Sequence, residues 1–397
     1  MIQMRWILTV GVLLFLVVGM SPWADVGQAQ PVIRLGGTIS ETGRLARVAA
    51  LYIDGRALGV DILNALGGVN VGGTAYRIEL VQFDDQSSAD LAVRLYEQLI
   101  TEQNVDFLLG PYSSGLVIPT SAIAEKFRVP MVEGGGASTN IFNRGFKYVF
   151  GTLPAGQNYL KDAIRLFREE AQVRTIALIY ADDAFSTDVA VGTRKWANEL
   201  GVRIIADEKY ADGQTEFGSL IAKLKSVNPD VIMGANHLVE LLGFVQQARS
   251  LGLDKDMVFT VGVSNPDFLA LGQVAEGVFG VAPWVPTQST SGGVFGSAAD
   301  YTRMFEMRFD YTPEYHNANG TIEILTYKKA IEAAGSLNRN AVRDALANIS
   351  YESFYGTVAF GENGQVAKGQ TVIQIQNGVA VSVGPGGEAT AIFKVSR

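Results

Sequence analysis

From Pro31 onward, short runs of β-branched and apolar residues alternate with longer amphipathic stretches, and this alternation constrains the fold more than any other feature. Strands are expected over residues 32–38, 76–84, 105–110 and 129–134, where apolar runs are too short for a helix and end in turn-forming residues. Helical spacing over 44–66, 88–102 and 115–127 separates them. In the second helix Leu91, Leu95 and Leu99 recur at every fourth position, and Ser87-Ser88-Ala89-Asp90 offers a capping box. A second round has strands at 174–180, 202–209, 230–235 and 257–262 and helices at 156–171, 185–200, 214–226 and 238–251. Repeated strand, helix, strand units require a parallel sheet covered on both faces. The expected class is therefore α/β, with two similar doubly wound parallel-sheet lobes, and a length of 397 residues accommodates two domains. The C-terminal part breaks the rhythm. Helices at 298–310, 317–334 and 339–348 precede β-type segments at 357–360, 371–376, 379–383 and 392–395, with turns at Asn363-Gly364 and Asn377-Gly378. These elements must complete one lobe or both, so the chain is expected to pass between lobes more than once.

Residues 1–29 follow a different pattern. Arg5 gives a basic start, 6–20 is an uncharged run of 15 residues, and Gly27-Gln28-Ala29 supplies the small residues of a cleavage site. A membrane anchor would need about 18–20 apolar residues, so a signal peptide cleaved after Ala29 is expected. The mature chain should then be soluble outside the cytoplasm. With 32 basic and 40 acidic residues the formal charge is −8, which disfavours nucleic acid or an anionic membrane as partner. The absence of Cys excludes disulfides, thiolate nucleophiles and lipid attachment through an N-terminal cysteine. A free protein is best retained by an outer membrane, so the periplasm is expected. Only two histidines, His237 and His316, are present, which leaves little scope for a metal cluster, and no cofactor is expected.

Glycine is abundant, 44 of 397 residues, and it gathers with hydroxyl residues where the strands end. In open α/β sheets ligands bind there, beyond the carboxyl ends of the strands. Gly110-Pro111-Tyr112-Ser113-Ser114-Gly115 follows one strand and Gly134-Gly135-Gly136-Ala137-Ser138-Thr139 the next. Their backbone N–H groups and hydroxyls could hold a small carboxylate without a cationic side chain; tight turns with ordinary N-caps are the plainer alternative. In the second round the equivalent ends carry Ala181-Asp182-Asp183-Ala184-Phe185, Ala235-Asn236-His237 and Gly262-Val263-Ser264-Asn265. Here Asp182 and Asp183 could cap a helix, Phe185 could be core and His237 a loop histidine, or together they could close over a ligand. No Walker A loop, Gly-x-Ser-x-Gly, His-Glu-x-x-His or Gly-x-Gly-x-x-Gly occurs. The adjacent carboxylates Asp84-Asp85 and Asp182-Asp183 point apart on strand ends, which argues against a glycosidase pair. An enzyme is not expected.

The chain resembles the type I periplasmic solute-binding proteins of ABC importers, in the branched-chain amino-acid-binding group, over residues 33–383. The resemblance rests on Ser40-Glu41-Thr42-Gly43-Arg44, Gly67-Gly68-Val69, Phe83-Asp84-Asp85-Gln86-Ser87, Gly110-Pro111-Tyr112-Ser113-Ser114-Gly115, Val129-Pro130-Met131, Arg144-Gly145-Phe146, Ala275-Glu276-Gly277, Ala330-Ile331-Glu332-Ala333-Ala334-Gly335-Ser336 and Gly356-Thr357-Val358-Ala359-Phe360, in that order. It implies two lobes joined by three crossover strands, near 152–155, 283–286 and 354–357. Lobe 1 would comprise 30–153 plus 284–354, and lobe 2 would comprise 154–283 plus 355–397. It also implies capture of a small solute, most simply an amino acid of branched-chain or other hydrophobic type, and delivery to an ABC permease and its ATPase by a monomer. A non-amino-acid carboxylate, amide or aromatic acid is the alternative ligand, and sensing in trans with a receptor kinase the alternative role. The ligand-binding residues carried over are Ser113, Ser114, Gly135, Gly136, Ala137, Ser138, Phe185, Asn236 and His237, with Trp284 at the second crossover as a wall of the cleft. Two departures stand out. The acidic residue that holds an ammonium in amino-acid-binding members is replaced by Val263-Ser264-Asn265, which leaves that role to Asp182 or Asp183 or points to a different ligand. In addition, Ala137 stands where a hydroxyl is common, although Ser138 follows at once.

Overall fold

The computed structural model describes residues 30–385 and 389–395; the expected signal peptide lies outside the described residues. The N-terminal sheet contains β1 (Val32–Ile39), β2 (Val69–Val71), β3 (Thr74–Asp84), β4 (Phe107–Leu109), β5 (Met131–Glu133) and β6 (Val149–Gly151) in the order β2-β3-β1-β4-β5-β6. All neighbours are parallel except the short edge strand β2. The second sheet contains β7 (Thr175–Ala181), β8 (Arg203–Tyr210), β9 (Val231–Ala235), β10 (Asp256–Phe259) and β11 (Phe279–Ala282). A hairpin of β12 (Ser350–Ser353) and β13 (Gly356–Ala359) stands apart, and β14 (Thr371–Gln376) and β15 (Val379–Gly384) complete the second sheet antiparallel, in the order β15-β14-β11-β10-β9-β7-β8. The central strands β4, β5, β9 and β10 are buried along their whole length. Continuous burial explains why they read as largely apolar runs, interrupted only by Glu133 at the end of β5 and Asp256 at the start of β10, since helices cover both faces of a parallel sheet.

Setting aside the antiparallel edges, both sheets have the same winding. The chain starts at an inner strand, steps outward by one, then returns past its start and continues the other way. The direction reverses between β1 and β4 in one lobe and between β7 and β9 in the other, and a crevice opens at such a switch point.

After β11 the chain returns to the first lobe, where helices Ala46–Ala65 and Tyr315–Ala334 pack so closely that a Cβ on Gly55 would lie 2.0 Å from the Asn317 carbonyl oxygen. Between these helices Arg56 Nε donates to Glu323 Oε2 at 2.7 Å, both side chains being fully buried. The third passage between lobes comes later than the resemblance implies. Gln365 still bridges Gly151 at the end of β6, and only β14, from Thr371, joins the second sheet. Phe354 and Tyr355 instead form the tight turn of the β12–β13 hairpin, and Gly356 and Thr357 begin β13. Residues 392–395 are not a strand either: the side chains of Gln374 and Gln376 donate to the carbonyls of Lys394 and Ile392 at 2.6 and 2.7 Å in place of a ladder.

Candidate functional site

A cleft lies between the two switch points, and every residue lining it follows the carboxyl end of a strand or starts a helix. Tyr112 and Ser114 follow β4, Gly135 and Ala137 follow β5, Leu153 and Tyr159 follow β6, Phe185 follows β7, His237 follows β9 and Val261 follows β10. Tyr315 and His316 open the helix that packs on Ala46–Ala65. The lobes are closed over this space, which encloses about 10 Å³, the room one water needs.

The Gly-rich turn is held from both sides. Ser114, the first residue of helix Ser114–Phe127, accepts on Oγ the amides of Ala137 and Ser138, each at 3.1 Å. The amides of Gly135 and Gly136 donate at 3.0 and 2.7 Å to Glu133 Oε2, on a fully buried side chain that ends β5. Burial pushes the Glu133 carboxyl well above its ordinary value; the Gly136 amide works against this and the charge of Glu323 adds to it. Gly135 is required for close approach, because a Cβ there would sit 2.2 Å from the Pro111 carbonyl oxygen.

Across the cleft, Asp183 caps helix Ala184–Glu199 by accepting the amides of Phe185 and Ser186 at 2.8 and 3.1 Å. Its Oδ1 also lies 3.5 Å from His237 Nε2. Burial alone would raise the Asp183 carboxyl, but the charge and hydrogen bond of His237 hold it well below the usual carboxylate range. His237 responds in kind: burial lowers its pKa, the charge and hydrogen bond of Asp183 together with the charge of Glu240 raise it, and the net shift is upward. His237 Nδ1 is 3.1 Å from the Tyr112 hydroxyl of the other lobe. The second imidazole, His316, has Nδ1 2.5 Å from Glu314 Oε1, and Glu314 Oε2 accepts from Ser264 Oγ across the cleft at 3.3 Å.

Further contacts bridge the lobes at the rim. Asp84 gathers the amides of Glu41, Thr42 and Gln86, while Asp85 accepts from Thr38 and Ser40, so the loop after β1 is fixed to the end of β3. That loop presents Arg44 to Asp212 at 2.7 Å, and Arg47 reaches Asp267 at 3.2 Å. Elsewhere Asp188 accepts from the amide and hydroxyl of Thr139 at 2.9 and 2.6 Å and from Gln157 at 3.0 Å.

Of the residues expected at the site, Ser114, Gly135, Ala137, Phe185 and His237 line the cleft. Ser113 and Ser138 are buried helix N-caps, and Gly136 is backed by Ile141 and Val117. Asn236 turns inward to donate to the His237 carbonyl at 2.7 Å. Trp284 is only 1% exposed and does not wall the cleft: it donates to the Phe354 carbonyl at 3.0 Å and packs edge-on against Tyr301. Asp182 is exposed and paired with Lys209 at the rim, 3.1 Å away. Tyr112, Tyr159, Tyr315 and His316 were not anticipated as lining residues. Tyr112 could have been found, since it sits inside a run already singled out; the others come from segments that meet only after the chain has crossed between lobes.

The fold and cleft define a two-lobed binding protein whose ligand space lies between paired α/β sheets. Residues 32–380 match the periplasmic binding protein family, and the chain belongs to it. It is similar to the leucine-, isoleucine-, valine-, threonine-, and alanine-binding protein of Pseudomonas aeruginosa, 23% identical over 354 residues, covering 89% of this chain and 92% of the relative. The fold is shared with a leucine-binding protein from Thermotoga maritima (TM-score 0.80, 20% identity, 88% of this chain and 97% of that one). It is also shared with an ABC-transporter solute-binding protein from R. palustris in complex with benzoate (TM-score 0.78, 20% identity, 91% and 99%). Among the described residues no helix is long and apolar enough to cross a membrane.

Proposed function

We propose that this chain is an extracytoplasmic receptor that captures a small amphipathic solute, in first place an amino acid, between its lobes and hands it to an ABC permease driven by an ATPase. The observation that carries this reading is the closed cleft at two facing switch points, with Ser114 and the turn Gly135–Ser138 on one side and Phe185 and His237 on the other. Solute enters as the lobes part, and contacts made to both lobes favour the closed state, which the permease selects. Export through the leader at 1–29, release as a free periplasmic monomer, and binding without chemical turnover belong to the same reading. The leucine-binding and benzoate-bound relatives define two ligand classes to separate. The absent strand-end acid after β10 keeps the second, an aromatic or other simple carboxylate, as the alternative. A thermal-shift screen of amino acids, amides and aromatic acids tests the proposal: a ligand at 100 times its dissociation constant adds about 2.7 kcal/mol. No shift with any of these solutes would overturn it.

A further inference from the structure

Six rings line the cleft in an unbroken series. Tyr159 and Phe185 have centroids 5.1 Å apart, Phe185 and His237 5.6 Å, His237 and Tyr112 5.9 Å, Tyr112 and His316 5.5 Å, and His316 and Tyr315 3.8 Å. All six face the same cavity and are drawn from both lobes. No Lys or Arg lines that space. Carboxylates lie behind two of the rings, Asp183 at His237 and Glu314 at His316; Asp183 offsets the positive charge that His237 carries when protonated, and a further cation, Arg44, acts on Tyr112 and His237 from the rim. Because Glu314 holds Nδ1, the edge of His316 left for the cavity is Nε2. The Gly135 and Gly136 amides, which could have received an anion, are already taken by Glu133. Anion-binding capacity is therefore confined to the Ser114 end, and apart from Leu153 and Val261 the remainder of the lining is aromatic, with carboxylates behind two of its rings.

We infer that this ring of aromatic side chains is a box for a positively charged nitrogen of the solute, replacing the strand-end carboxylate that is absent after β10. A cation is attracted to aromatic faces without donating any hydrogen bond. A box of this kind therefore accepts an alkylated ammonium, whereas a site that grips the N–H groups of a primary ammonium rejects each added methyl group. The solute class is a small amine zwitterion, its carboxylate toward Ser114 and its ammonium, free or methylated, among the rings.

This inference rests on the solute-binding reading above, and four probes separate the two. Isothermal titration of the mature chain is performed with L-leucine, glycine betaine, 3,3-dimethylbutanoate and benzoate. Glycine betaine and 3,3-dimethylbutanoate have the same shape and differ in the charge of the central atom. The expected result is betaine binding at least tenfold tighter than its carbon isostere, which keeps the carboxylate and lacks the positive nitrogen. That advantage should be cut severalfold by Phe185→Leu, which keeps apolar bulk and removes a π face. His237 and His316 are the chain's only imidazoles, so a histidine NMR spectrum has two spin systems, and both should shift with betaine. Equal or tighter binding of 3,3-dimethylbutanoate or benzoate overturns the box and leaves the receptor reading intact, as does leucine binding with no betaine binding. Binding of none of the four overturns both.

Discussion

Replacing Glu133 by glutamine should make the protein more resistant to rising pH. In the folded chain burial keeps the Glu133 carboxyl protonated well above its ordinary value of 4.5. In the unfolded chain it ionises near that value, so above it the unfolded state releases a proton that the folded state retains. The contribution of Glu133 is fully present below 4.5 and is lost as pH rises toward the folded pKa. Each pH unit in that interval costs the wild type about 1.4 kcal/mol relative to a residue that cannot titrate. The difference keeps growing with pH until the folded carboxyl itself ionises. The glutamine amide keeps an oxygen for the Gly135 and Gly136 amides, and whatever its nitrogen costs in the place of the unpartnered Oε1 does not vary with pH. Denaturant unfolding of both proteins at intervals from pH 5 to pH 8 measures the slope. Stability curves that run parallel would show Glu133 to be ionised in the fold and would refute the reasoning.

Three further outcomes can be checked together. Ser114→Ala leaves the amides of Ala137 and Ser138 without their acceptor, and should cost about 1–3 kcal/mol of stability along with most of the solute affinity, read by calorimetry. Arg44→Ala and Arg47→Ala remove partly exposed interlobe pairs; each should weaken solute binding by under about 1 kcal/mol, an effect that shrinks in high salt. Trp284→Phe deletes the bond to the Phe354 carbonyl and should lower the melting temperature while leaving solute affinity unchanged, because the indole does not reach the cleft.

Long elements were legible because their periodicity could be measured. Helix Arg339–Asn348 and strand Thr371–Gln376 fall where spacing put them. The three-residue strands β2 and β6 are too short to display a period, and β11 is a four-residue run whose neighbours are set by distant chain. The third passage between lobes falls later than expected because Phe354-Tyr355-Gly356-Thr357, two aromatics followed by a glycine and a β-branched residue, suits a hairpin as well as a crossing, and only the partner strand decides. At the site, the loops after β4, β5, β7 and β9 were readable from glycine and hydroxyl residues at strand ends. Tyr159, Tyr315 and His316 carry no local mark of function, and each looks like an ordinary helix-start residue until the two lobes are brought together. Glu133 had a signal that was passed over, an acid closing an otherwise apolar strand.

The position of β14 has a consequence for how the chain is made. It pairs with β11, yet between them the polypeptide leaves, builds helices against the opposite lobe and comes back. The second sheet therefore lacks its closing strands until the chain has been made past Thr371, and β11 is a bare edge until then. Under the proposed export, the nascent chain stays unfinished, and so easier to thread through a translocation channel, until those strands have been made. Truncation before Thr371 should yield an aggregation-prone product rather than a smaller working receptor.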